Sequence, residues 1–290
     1  MGEANDQGHP SMPIVRVWMF GEFVVEHLTS PEEYPPRYEP VAPSAWQSRG
    51  TAMTLLKVLV CRRRRRATKD ELIAAIWPEE GAKRLKHVER AFDAAASVLR
   101  AVLRTPEGES LLLTRRSGDH MLYRLTDQQR LWTDAEACEM LVNRAIQLEG
   151  RGQAHEALSV WEEAFRLTQR GVFLEDDVHA SWSQARRQMI EGTERFCVHH
   201  LADCYLALSR HAEAEMILRT FWTANPTDED ALYRLMKLLA QHARMQEALR
   251  LFFIHGAPAS AGRGKTAIRA TPALRRTHQA RRGSVIRVQR

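Results

Sequence analysis

Residues 84–103 read RLKHVERAFDAAASVLRAVL, and the spacing of apolar side chains in this stretch decides the fold of the N-terminal part. Leu85, Val88, Phe92, Ala95, Leu99 and Val102 recur every three or four residues, which places them on one stripe of an α-helix facing a core. At about 100° per residue, Lys83, Lys86, His87, Arg90, Ala94 and Ser97 fall together on the opposite face. A solvated surface is the ordinary reading of such a charged stripe. The segments on either side change that reading.

Upstream, IVRVWMF (14–20) and EFVVEHL (22–28) are β-rich runs around Gly21 and predict a small antiparallel hairpin. PEEYPPRYEPVAP (31–43) reads as structureless. A first helix follows Trp46, burying Met53, Leu55, Leu56, Leu59 and Val60, and ends at five consecutive arginines, Arg62 to Arg66. Thr68 with Glu71 three residues later is a capping box, so a short second helix runs from about Lys69 to Trp77 and stops at Pro78. Downstream, LLLTRRSGDHMLYRL (111–125) gives two strands joined through Ser117, Gly118 and Asp119, with Arg115 and Arg116 beside the tip. Strands, three helices and a terminal basic hairpin are the parts of a winged helix-turn-helix, whose third helix enters the major groove while the wing follows the backbone. In that geometry Lys83, Lys86, His87 and Arg90 are the candidate readers of base edges. The candidate phosphate contacts are Arg62, Arg63, Arg64, Arg65, Arg66, Thr68, Arg84, Arg115, Arg116 and Tyr123. A plain solvated turn is the competing reading of the arginine run.

Charge is segregated along the chain. Residues 45–125 carry 17 Lys and Arg against 9 Asp and Glu, whereas 126–254 carry 14 against 20. The first segment therefore suits a polyanion and the second does not. Residues 255–290 add nine basic residues and no acidic one, a composition expected of a disordered tail that lends nonspecific attraction to nucleic acid.

From 133 to 253 the sequence is helical and repeats. Glu213-Ala214 recurs as Glu247-Ala248, and Leu201 as Leu235, both at an offset of 34, the period of the tetratricopeptide helix pair. An earlier copy holds Glu156-Ala157, 57 residues before Glu213-Ala214, which implies an insertion that forms a loop and a lengthened helix around GVFLEDDVHASWSQARR.

Taken in order, TKDELIAAIWPE, RLKHVERAFDAAASVLRAVL, the MLYRL ending, WTDAEACEMLVNRAI, EALSVWEEAFRL and ANPTDEDALYRLMKLLAQHARMQEALRLF resemble the SARP-type bacterial transcriptional regulators. These join a response-regulator-type winged helix to a bacterial transcriptional activator domain of tetratricopeptide-like helices. The likeness spans about 14–253. It implies binding to double-stranded promoter DNA at repeats, often as a homodimer, and activation by contact with RNA polymerase. This chain departs from the family pattern in Leu122 before Tyr123, in the arginine-rich turn, and in the basic sequence after ALRLF, which is read either as divergence or as a disrupted reading frame.

The expected fold is thus mainly α: a winged helix with small β-hairpins over 14–125, a linker over 126–132 and tetratricopeptide-like repeats over 133–253. Residues 1–13 and 254–290 are expected to be disordered. Other constellations carry less. GRGKT (262–266) has Ala259 where a phosphate loop needs glycine. CVHHLADC (197–204) separates its cysteines by about 10.5 Å of helix, too far for one zinc. Asp176, Asp177 and His179 read as an acidic loop. No catalytic residues, metal site or cofactor are expected. Four unpaired-spacing cysteines, a polar N-terminus and short apolar runs point to a cytoplasmic chain away from membranes. The alternative function is a protein-interaction adaptor whose winged helix does not read DNA.

Overall fold

The computed structural model describes residues 12–47, 50–78 and 86–256. The predicted N-terminal hairpin is present: β1 (Val15–Trp18) pairs antiparallel with β2 (Val24–Ser30), with Val17 opposite Val25. The proline-rich segment is not structureless, because β3 (Arg37–Pro40) adds to β2. Tyr38 holds it there, its ring 3.5 Å under the Arg16 guanidinium and its hydroxyl donating to the Pro13 carbonyl at 2.8 Å. Both interactions lie across strands, out of reach of a local reading.

Then come α1 (Gly50–Cys61), β4 (Arg66–Thr68), α2 (Lys69–Ile76), α3 (Lys86–Val102), β5 (Leu112–Ser117) and β6 (His120–Leu125). The order β4-β6-β5 makes a three-stranded sheet whose β5–β6 turn is the wing. Val88, Phe92, Ala95, Leu99 and Val102 are buried, as the helical stripe requires, and Phe92 meets Tyr123 of β6 edge-on at 5.2 Å. Leu55, Leu56, Leu59 and Val60 of α1 complete this core.

The expected linker over 126–132 is corrected by β7 (Leu131–Thr133), which pairs parallel with β1 and makes the first sheet β3-β2-β1-β7. A parallel neighbour far along the chain leaves no local signature. Next is α4 (Asp134–Gly150), whose first residue is a buried anchor: the Asp134 carboxylate accepts the N–H groups of Met19, Phe20 and Ala135 at 2.8–3.0 Å.

The remaining helices are α5 (Ala154–Thr168), α6 (Ser181–Ala207), α7 (His211–Ala224), α8 (Glu229–Gln241) and α9 (Met245–Gly256), which runs past the expected boundary at 253. The 34-residue repeat is visible as a repeated turn. Ser209 and Ala243 both adopt left-handed backbone, at φ 59° and 60°. Arg210 N–H bonds the Tyr205 carbonyl as Arg244 N–H bonds that of Leu239. Arg210 and Arg244 each donate Nε to the glutamate three residues on, at 2.9 Å. The earlier copy has Gly152 at φ 74° and Gln153 N–H on the Leu148 carbonyl. The insertion folds as expected into a loop over 169–180 followed by the 27-residue α6.

The chain forms two compact units that meet between Ala214 and Glu215, inside α7. Within the first, the inserted loop docks on the end of β1: Phe20 bridges Phe173, and Lys57 of α1 pairs with Asp177 at 2.5 Å. Asp177 is therefore part of an ion pair rather than a free acidic loop.

Candidate nucleic-acid interface

Three elements of the first unit, α3, the start of α2 and the wing, are tied together by ion pairs. Because the apolar stripe of α3 is committed to the core, against α1 and Tyr123, its other face is turned outward, and Lys86, His87 and Arg90 are exposed. Lys83 and Arg84 lie outside the described residues. The N-terminus of α2 is fixed by the predicted capping box, with both Thr68 N–H and Thr68 Oγ1 donating to Glu71 and Glu71 N–H donating back. Both protons of Thr68 are thus engaged in the cap. Lys69 of α2 holds Asp93 of α3 at 2.6 Å, and Asp70 lies 3.3 Å from His120 at the start of β6. These contacts set helix, helix and wing in register with one another.

The wing stands clear of the body. From Leu113 through His120 every residue is exposed, including Arg115 and Arg116, and Gly118 takes φ +60° at the tip, a conformation that side chains disfavour. Tyr123 behaves otherwise. It is 4 % exposed and packed on Phe92, so its ring is core and not a backbone contact.

The arginine run is also divided. Arg64 and Arg65 are successive left-handed residues, at φ 59° and 52°. Arg62, Arg64 and Arg66 are exposed; the side chain of Arg63 lies outside the described residues. Arg65 is 4 % exposed and is consumed internally: Nε donates to Glu136 at 2.6 Å, Nη1 to the carbonyls of Leu131 and Thr126 at 2.6 and 3.1 Å, and Nη2 to Gln128. The expectation that Arg65 clamps phosphate is thereby corrected, since a guanidinium with every donor direction used inside the fold has none to offer DNA. Its partners, Gln128 and Glu136 at the start of α4, escaped the sequence reading because they are more than 60 residues away. So did Arg124, which β6 sets directly opposite Arg66.

Against protein families, residues 133–280 match the model of the bacterial transcriptional activator domain, just over half of the chain. The chain belongs to that family. With a winged helix ahead of the domain, it has the architecture of the SARP-type transcriptional regulators. Among solved structures it is similar to Mycobacterium tuberculosis EmbR in complex with a low-affinity phosphopeptide, at a TM-score of 0.73 and 18 % identity. That likeness covers 93 % of this chain and 65 % of the EmbR chain, so this chain spans somewhat less than two thirds of its neighbour, and it concerns the fold alone. No curated protein matches. Among the described residues of this family member, no helix is long and apolar enough to cross a membrane, and no cluster of His, Cys, Asp or Glu is arranged to hold a metal. Cys204 and His200 both turn to Glu149, with Trp161 Nε1–H on the same carboxylate.

Proposed function

We propose that this regulator activates transcription by binding double-stranded promoter DNA through α3 and the wing. The observation that carries this reading is the two-faced α3, buried along Val88–Val102 and exposing Lys86, His87 and Arg90 beside the exposed Arg115 and Arg116 of the wing. Arginine and lysine donors match the N7 and O6 acceptors of guanine, so Arg90 or Lys86 reads sequence. Lys83 precedes them in the same helical stripe of the sequence and shares that role. Arg115, Arg116, Arg62 and Arg84 neutralise phosphates, contacts that position the protein without selecting a sequence. The helical region meets RNA polymerase, and paired promoter repeats bring a second copy of the chain alongside. Exposed apolar side chains such as Met140 and Met189 supply surface for such protein contacts.

The test is a pair of binding curves, on a site selected from random duplexes and on a scrambled one. Arg90→Ala is expected to cost about 1–3 kcal/mol on the selected site and to relax discrimination at one or two base pairs. Arg116→Ala is expected to weaken both duplexes alike and to flatten the dependence on salt. If Arg116→Ala removes discrimination while Arg90→Ala retains it, the roles are reversed. Binding that is absent at every salt concentration sinks the reading and leaves a protein-interaction adaptor.

A further inference from the structure

Behind the wing, on the face of the sheet away from α3, lies a cleft of about 420 Å³ lined by Arg64, Arg66, Arg124, Thr126, Gln128 and Glu136. Its chemistry is unusual for a surface groove. Arg66 and Arg124 are directly opposed across β4 and β6, and like charges in that register repel. Arg64 reaches the same cleft from a left-handed backbone position that a side chain adopts only at a cost. Among the described residues none of these three guanidinium groups has a carboxylate within ion-pair range. Of the acidic groups nearby, Glu136 is paired with Arg65 and Glu71 is held by the cap of α2, while Asp127, which also lines the cleft, accepts the N–H groups of Gln129 and Arg130 through Oδ1.

We infer that this cleft binds the phosphate group of a small phosphorylated molecule, a phosphomonoester or diphosphate. Planar guanidinium forks match phosphate oxygens in pairs, and the ligand charge relieves the Arg66–Arg124 repulsion. DNA held by α3 does not serve as the source. Along β6, Tyr123 and Leu125 point into the core under α3, so Leu122 and Arg124 point to the opposite side of the sheet. The wing tip at Gly118 is six residues from Arg124, roughly 20 Å of strand. The ligand would also lie against the Arg65–Glu136 ion pair, where the winged helix joins α4, a position from which occupancy can influence both parts.

Calorimetric titration of the full chain with sodium pyrophosphate tests this, with a scrambled duplex as a separate arm. Saturable binding at physiological salt is expected. Arg66→Ala and Arg124→Ala, both at exposed positions, should each weaken it about tenfold or more, as loss of a charge-assisted hydrogen bond does. Arg115→Ala and Arg116→Ala should leave it unchanged while still reducing duplex binding. Thermal unfolding without ligand verifies that each variant is folded. The inference is overturned if no saturable binding occurs, if Arg124→Ala binds pyrophosphate as the native chain does, or if the wing variants lose pyrophosphate equally. Should pyrophosphate fail while Arg124→Ala weakens duplex binding, the cleft is a DNA-backbone contact instead.

Discussion

At the scale of single residues, Arg65 shows how little a run of identical letters says about each member. Five adjacent arginines share one sequence environment, yet one is withdrawn into the fold by a backbone carbonyl pair, an amide and a carboxylate. Arg65→Met should therefore destabilise the first unit by about 3–5 kcal/mol in urea unfolding, because Glu136 and two buried carbonyls lose their partner. Arg116→Ala, in the exposed wing, should stay within about 0.5 kcal/mol of the native chain. Asp134 gives a pH-dependent counterpart. Burial pushes its carboxyl up from 3.8 to about 6, against the lowering effect of the three N–H groups it accepts. A carboxyl harder to ionise in the fold than in the unfolded chain favours folding while protonated. That contribution is complete below about 3.8 and is lost as pH rises through 6. Its size is roughly 3 kcal/mol from a shift of about two units. Measured as the difference in unfolding free energy between the native chain and Asp134→Asn, the native advantage should shrink between pH 4 and 7; a difference constant with pH refutes the assignment.

At the scale of elements, the helices were legible because each carries its own periodic stripe and signals at its ends. The Phe92 stripe of α3 and the Thr68–Glu71 cap of α2 are local facts of sequence, and the structure keeps both. The repeat turn was legible too, since an offset of 34 in letters became an offset of 34 in left-handed residues, hydrogen bonds and Arg–Glu pairs. β3 and β7 were not, β3 being four residues in a proline-rich segment and β7 a short strand defined by a distant partner. The inserted loop belongs with them. Its Gly171, at φ +145°, comes so near Gly21 that a Cβ there would stand 2.6 Å from the Gly21 Cα. Gly171→Ala is thus expected to displace the loop from the end of β1 and to cost more than about 1 kcal/mol. Hydrogen exchange should report the loss as weaker protection of the Gly21 N–H, which bonds the Val172 carbonyl; unchanged protection would contradict it.

At the scale of the whole molecule, charge along the chain sets how it meets polyanions. The net charge of +6 depends on residues 257–290, which hold nine basic side chains and no acidic one. Removing them should lower affinity for scrambled duplex and reduce the slope of log affinity against log salt, while leaving discrimination between selected and scrambled sites intact. A change in discrimination would mean that the segment reads bases. The sequence by itself determined the helical periodicities, the basic winged helix and the 34-residue repeat, because each rests on spacing within a few dozen residues, and it carried the family resemblance in an ordered set of segments. Only the tertiary structure decided that the expected linker ends in a strand, that Arg65 and Tyr123 are interior, and that Arg64, Arg66, Arg124 and Thr126 share one cleft. Each of these depends on β4, β6 and β7 pairing with partners far away in the chain, and such pairing is selected by the packing of the completed core, which no local window of sequence contains.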